Sequence, residues 1–302
     1  MEQLSFQEQM RSHGLFARTV SVEHLDELRE DIDALRRAGQ IDPALDKEYL
    51  SQWGFAVPAE LPDARTLVIV AKPQPALSVI FRWKGREVPL TVPPTYAGGE
   101  VDAEVLAALA KVTSPNSFRF VKAWLPLKAL AVRSGLAAYG RNDLAYIPTF
   151  GSFHRLTAFF TDLPCGEDQW QEQEMLPGCD SCDACVKACP TGAIPTKRAP
   201  VRAHRCLTYL NEKDAEAAFP DALPKGVHHA LVGCMRCQRV CPYDRNVASW
   251  VEARGEFSEE ETDLLLAGPL PDGSAVGEKL RQVGLSPSLF PRNLAVLLEL
   301  RE

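Results

Sequence analysis

The chain has 302 residues, of which 46% are hydrophobic and 24% charged, and a formal net charge of −7. That is the composition of a folded globular protein. It excludes a disordered tail, a collagen-like repeat and a coiled coil, and its acidity argues against a generic nucleic-acid binder. Nine cysteines all lie after residue 164: Cys165, Cys179, Cys182, Cys185, Cys189, Cys206, Cys234, Cys237 and Cys241.

The chain starts without the apolar run of a secretory signal, and no stretch approaches the roughly 20 apolar residues of a membrane helix. A cytoplasmic protein with no membrane partner is expected. In that reducing compartment the cysteines read as metal ligands or catalysts rather than disulfides.

In chain order, Ser21 is a helix N-cap, and Leu25, Leu28, Ile32 and Leu35 follow at helical spacing until Gly39, so 22–38 reads as an amphipathic helix. Leu61-Pro62-Asp63 is a turn, and Thr66–Ala71 a buried strand. Ser78–Trp83 and Arg86–Val92 flank Lys84-Gly85 as a hairpin, with Pro89 confining the second strand to an edge. A glycine-rich loop around Gly98-Gly99 leads to a helix over 102–112, and a further helix is expected within 120–133, broken or begun at Pro126. Short strands are expected at 144–147 and 157–161. Helices are expected near 264–266, 276–280 and 293–300.

The cysteines carry the chemistry. Cys179-x2-Cys182-x2-Cys185-x3-Cys189-Pro190 has the spacing of the bacterial iron–sulfur run. Cys234-x2-Cys237-x3-Cys241-Pro242 is a second copy without its first cysteine, which Cys206 can supply. Three closely spaced thiolates wrap one cluster, and the fourth turns toward the other. One [4Fe–4S] cluster then takes Cys179, Cys182, Cys185 and Cys241; the second takes Cys189, Cys206, Cys234 and Cys237. Backbone N–H groups near Gly192 and Ala193 are expected to approach the sulfurs. Paired Cys-x2-Cys knuckles also serve structural zinc, but two overlapping runs of this kind do not. Cys165 is left as a plain thiol.

Further residues carry a family likeness. Gly135-Leu-Ala-Ala-Tyr-Gly-Arg-Asn142, Tyr146-Ile-Pro-Thr-Phe-Gly-Ser152 and Phe160-Thr-Asp-Leu163 resemble a segment of the epoxyqueuosine reductases. So do the run from Cys179 to Ile194, His204-Arg-Cys-Leu-Thr-Tyr-Leu210 and Gly233–Asn246; Leu61–Thr66 and Pro291–Ala295 fit more loosely.

The resemblance implies an α+β fold: a mixed α/β corrinoid-binding-type domain (1–165), a two-cluster bacterial ferredoxin-like domain (166–250) and a short helical tail packing on the rest (251–302). It implies two [4Fe–4S] clusters and cobalamin. An external electron donor would supply electrons, and the substrate would be an epoxide on the modified wobble base of tRNA or an unidentified small molecule. Tyr96, Gly140, Arg141, Asn142, Gly151 and Ser152 would lie against the corrinoid. The family's loop with a catalytic Asp and a nearby His has a partial counterpart in Tyr96–Asp102, which lacks the His. Glu100 and Asp102 are its candidate proton donors, or a pair of helix-start carboxylates. The insert Ser78–Thr95 would lie near the substrate entrance. The alternative is a ferredoxin-type electron-transfer protein that docks to a redox partner and has no corrinoid chemistry of its own.

Overall fold

The computed structural model describes residues 4–96, 101–114, 118–197, 200–213, 217–221, 223–224, 226–283, 285 and 290–299. Its strands, in chain order, are β1 (Phe16–Ser21), β2 (Thr66–Pro73), β3 (Ala76–Trp83), β4 (Arg86–Val92), β5 (Phe120–Lys122), β6 (Ala138–Tyr139), β7 (Ala145–Tyr146), β8 (His154–Thr161) and β9 (Val251–Phe257). No helix among the described residues is long and apolar enough to cross a membrane. The chain packs into two compact units whose segments interleave. One is built from 1–73, 100–182 and 197–200, the other from 74–99, 183–196 and 201–302.

The first unit is a four-stranded antiparallel sheet in the order β1-β2-β8-β5. β2 is buried from Thr66 to Ala71 because helices cover both of its faces. Leu67, Ile69 and Ala71 point to one core with Leu25, Leu28 and Leu130; Val68 and Val70 point to another with Met10, Val105 and Leu109. A period-2 strand buried on both sides reads as a continuous apolar run. The expected helix at 22–38 is a 3-10 turn, Val22–His24, capped by Ser21, leading into Leu25–Arg37. The single helix expected within 120–133 is two elements. Phe120–Lys122 is the edge strand β5, and the helix Leu127–Arg133 starts after Pro126. Half-buried Phe120-Val121-Lys122 has too few residues to display a period of its own.

The second unit centres on a three-stranded sheet in the order β4-β3-β9. Lys84 and Gly85 both have positive φ (49° and 70°), the turn geometry that suits the twist of a two-residue hairpin. Pro89 sits on the edge strand, as its missing N–H requires. Leu77, Val79 and Phe81 pack with Val88, Leu90 and Val92 against Leu265, Leu280, Leu294 and Leu297. The Ser78–Thr95 insert is therefore part of a folded core.

The tail contributes helices Glu259–Leu266, Ala275–Gln282 and Phe290–Glu299, but it opens with a strand, β9, parallel to β3. Only Phe257 of β9 is buried, although Val251, Ala253, Gly255 and Phe257 alternate with the charged Glu252, Arg254 and Glu256. A bulge places Arg254 and Gly255 opposite Val79. Gly255 has φ 88°, and a Cβ there would lie 2.7 Å from Val283.

Candidate functional site

The two cysteine motifs fold alike. Each puts its middle cysteine on a single helical turn, Cys185 on Ala184–Ala188 and Cys237 on Arg236–Arg239, and these two turns pack against each other. The Pro after Cys189 and the Pro after Cys241 each follow an extended cysteine (ψ 110° and 125°), which turns the fourth thiol away from its own helix. Cys206 stands at the junction of the 3-10 turn Ala203–Arg205 and the helix Leu207–Asn211.

Cys189, Cys206, Cys234 and Cys237 all belong to the second unit. Burial pushes the Cys234 thiol up to about 11, and the neighbouring Cys206 and Cys189 push it the same way. Three thiols assigned to one cluster from the spacing thus interact. Around Cys189, burial raises the thiol but is outweighed by hydrogen bonds from the Thr191 hydroxyl and from the backbone N–H groups of Ile194, Thr191 and Ala193, which hold it below its ordinary value. The Thr191 Oγ1 lies 3.7 Å from the sulfur. All nine cysteines are free thiols. Soft thiolates with peptide N–H donors aimed at sulfur suit an iron–sulfur cluster, whose potential such donors tune. No group of three or more His, Cys, Asp or Glu side chains among the described residues is arranged to hold a single metal ion. Burial, then Asp168, raises the Cys165 thiol, while Thr66 and Thr19 oppose the shift.

The segment expected to face a corrinoid is tied up within the first unit. The Asn142 amide donates to the Tyr146 hydroxyl (2.9 Å) and accepts from the Leu144 N–H (3.4 Å). A Cβ on Gly140 would lie 2.5 Å from both Asn142 Oδ1 and the Tyr146 ring. Glycine is required there by its own neighbours. Arg141 donates through Nε (3.1 Å) and Nη2 (2.5 Å) to the Cys179 carbonyl. Gly151 (φ 54°) exchanges two backbone hydrogen bonds with Ile147, and Ser152 is buried. Arg141 and Asn142 thus each make side-chain hydrogen bonds within the first unit. Exposed Thr149 holds φ 77°, a strained angle for a β-branched residue.

Asp102 lies in the first turn of the helix Val101–Val112. It accepts hydrogen bonds from Lys122 Nζ and from the Thr157 hydroxyl, each at 2.7 Å. Burial raises its carboxyl, but the Lys122 and Thr157 bonds outweigh this and hold it below its ordinary value. A carboxylate so held is a salt-bridge partner, consistent with the helix-start reading. Glu100 lies outside the described residues.

Tyr96 takes a place that the sequence did not suggest. Its hydroxyl donates to the carboxyl of Glu212, which burial raises to about 7, and its ring packs on Gly233, the residue before Cys234. Behind this pair, Asn211 donates to the Gly233 carbonyl (2.9 Å), and Asn293 donates to the carbonyls of Asn211 (2.9 Å) and Leu231 (3.0 Å). Nothing in the local sequence marks Glu212; only its position six residues beyond Cys206 connects it with the motif. Buried His154 is a second such residue. Burial lowers it to about 4, its Nε2 donates to the Ala145 carbonyl, and its Nδ1 has no partner among the described residues.

Comparison with known proteins accords with this geometry. Residues 178–244 match the family described as "4Fe-4S double cluster binding domain". The epoxyqueuosine reductase of Salmonella typhimurium is 37% identical over 118 residues, 39% of this chain and 29% of that protein. The Bacillus subtilis enzyme is 31% identical over 118 residues, again 29% of its length. Over this stretch the chain is similar to the epoxyqueuosine reductases. Its aligned part spans about three tenths of the length of these curated relatives. The fold likeness is wider. The Streptococcus thermophilus epoxyqueuosine reductase structure superposes with a TM-score of 0.68 at 17% identity, over 98% of this chain and 80% of that one. An epoxyqueuosine reductase crystallised with an epoxyqueuosine-modified tRNA-Tyr stem loop gives 0.67 at 19% identity, over 97% of this chain and 80% of that one.

Proposed function

We propose that this chain is an iron–sulfur reductase of the epoxyqueuosine reductase kind, taking electrons from an external donor through two [4Fe–4S] clusters to reduce an epoxide carried by tRNA. The observation that supports it most is the pair of cysteine runs within the matched 178–244, whose helical turns, bearing Cys185 and Cys237, pack against each other. Bound clusters supply one-electron carriers. The chain's part is to provide the thiolates, to hold negative charge on Cys189 with the N–H groups of Thr191, Ala193 and Ile194, and to seat the Gly233–Cys234 turn with Tyr96 and Asn211. The buried Cys234 thiol must lose its proton as iron binds.

Cobalamin is the further cofactor that the resemblance of 135–152 implies. Its binding is tested directly by adding cobalamin to the anaerobic, iron-loaded protein. Retained cobalt and a changed visible spectrum support the corrinoid; the absence of both rejects it. The clusters are tested by iron analysis, with about eight irons per chain expected from two four-iron clusters. The tRNA substrate is tested by nucleoside mass spectrometry of a strain lacking the gene, where unchanged queuosine excludes it.

A second reading, an electron-transfer protein without its own corrinoid chemistry, is favoured by the internal engagement of Arg141 and Asn142. Iron-loaded protein that retains no cobalt would select it.

A further inference from the structure

One stretch of this acidic chain is wholly basic. Between 187 and 210 the charged residues are Lys187, Lys197, Arg198, Arg202 and Arg205, with no Asp or Glu. In the second unit, its parts at 190–192 and 204–210 border a concavity of about 450 Å³. Thr191, Gly192, His204 and Arg205 line one side, and Leu210 and Pro220 belong to an apolar wall. Arg202 Nη1 donates to the Gly192 carbonyl (3.5 Å), which places a second guanidinium, beside Arg205, at the same rim. Arg202, His204 and Arg205 are exposed, and neither arginine has a salt-bridge partner among the described residues. The next acid beyond the basic run, Glu212, is turned onto Tyr96, and the acid nearest the wall in sequence is Asp221.

Two assigned cluster ligands are chain neighbours of this lining. Cys189 precedes the Pro190–Gly192 lining and touches Thr191, and Cys206 follows Arg205 directly. Both thiols are only partly buried. Cationic rim and apolar wall thus meet at a lining whose Thr191 lies 3.7 Å from the sulfur of Cys189.

We infer that this face docks an acidic, flavodoxin-type electron donor. The inference rests on the iron–sulfur reading above and names the donor's class and landing site. A partner with negative charge is repelled by most of a −7 surface and drawn to the part that is positive, which raises productive encounters. Transient redox complexes use small interfaces, below about 1,200 Å², so one concavity with two or three charges suffices. A nucleic acid would need a longer cationic track to gain affinity by counterion release. The step itself balances. An anionic flavin hydroquinone gives up one electron and becomes the neutral semiquinone, one oxidised cluster gains that electron, and no bond is made or broken.

The test uses the full, cluster-loaded chain and reduced flavodoxin as the probe. Bleaching of the clusters is followed by anaerobic stopped flow, and binding of fluorescently labelled oxidised flavodoxin is measured separately. For the double variant Arg202→Glu/Arg205→Glu, the second-order rate at low salt is expected to fall by about tenfold or more and to approach that of the unchanged protein at high salt. Flavodoxin affinity should fall in parallel, while iron content and bleaching by dithionite stay the same. Should charge reversal impair folding, Arg202→Gln/Arg205→Gln is expected to give a smaller loss in the same direction. Equal rates and equal affinity in an iron-loaded variant would overturn the inference. So would unchanged flavodoxin kinetics with weakened binding of a tRNA stem loop, which would make the face a nucleic-acid surface. If the protein holds no iron, the cluster reading fails first. Charge-dependent binding of oxidised flavodoxin would then still uphold the docking face, and its absence would reject it.

Discussion

The hydroxyl of Tyr96 donates to the carboxyl of Glu212, 116 positions away in sequence, beside the Gly233–Cys234 turn. This contact ties the end of the hairpin segment to the helix that starts at Cys206. Burial of the Glu212 carboxyl beside it keeps this acid protonated until about neutral pH.

The first prediction concerns that acid. A carboxyl raised in the folded state stabilises the fold below its unfolded value, near 4.5, and loses that contribution as pH rises through about 7. Replacing Glu212 by Gln removes the titration. The difference in unfolding free energy between the Glu212→Gln variant and the unchanged protein should therefore shift in favour of the variant across pH 4.5–7. The shift should be on the order of 1–3 kcal/mol, read from denaturant melts at several pH values. A pH-independent difference would reject the assignment.

Gly140 is expected to tolerate no side chain. An added Cβ meets the Tyr146 ring and Asn142 Oδ1 at 2.5 Å, and both are buried. Gly140→Ala should cost about 1–3 kcal/mol, as overpacking of a closed core does. Thermal denaturation measures this, and a melting point equal to that of the unchanged protein would show that the turn can relax.

Asp102 separates a structural from a chemical carboxylate. It is held ionised by Lys122 and Thr157, so Asp102→Asn should lower stability by about 1 kcal/mol or less, given how exposed the pair is. Iron content should not change. If substrate turnover is established and falls by orders of magnitude in this variant with its stability intact, Asp102 carries a proton in the reaction.

The cysteines divide by iron content. Cys237→Ser and Cys206→Ser should each lose about half the iron, one cluster of two, whereas Cys165→Ser should retain all of it. Iron and sulfide analysis of anaerobically purified variants reads this out. Loss of iron in the Cys165 variant would overturn the eight-ligand assignment.

The sequence by itself determined the elements whose cause is local. Lys84-Gly85 dictated a hairpin because two adjacent positive φ angles are needed there, and Pro89 forced its strand to an edge because it has no N–H to donate. The apolar run Thr66–Ala71 determined a central strand, and the cysteine spacing determined cluster chemistry, since a thiolate set at x2, x2 and x3 intervals has few other uses. Tertiary structure alone decided what depends on distant partners. β9 pairs in parallel with β3, a partner that the alternation of Val251, Ala253 and Phe257 with charged residues could not name. Glu212 is a raised acid because Tyr96 and the surrounding core remove water from it. Arg141 and Asn142 spend their hydrogen bonds on Cys179 and Tyr146, which no motif match could reveal. Burial and pairing depend on neighbours far along the chain, and only the folded chain brings those neighbours together.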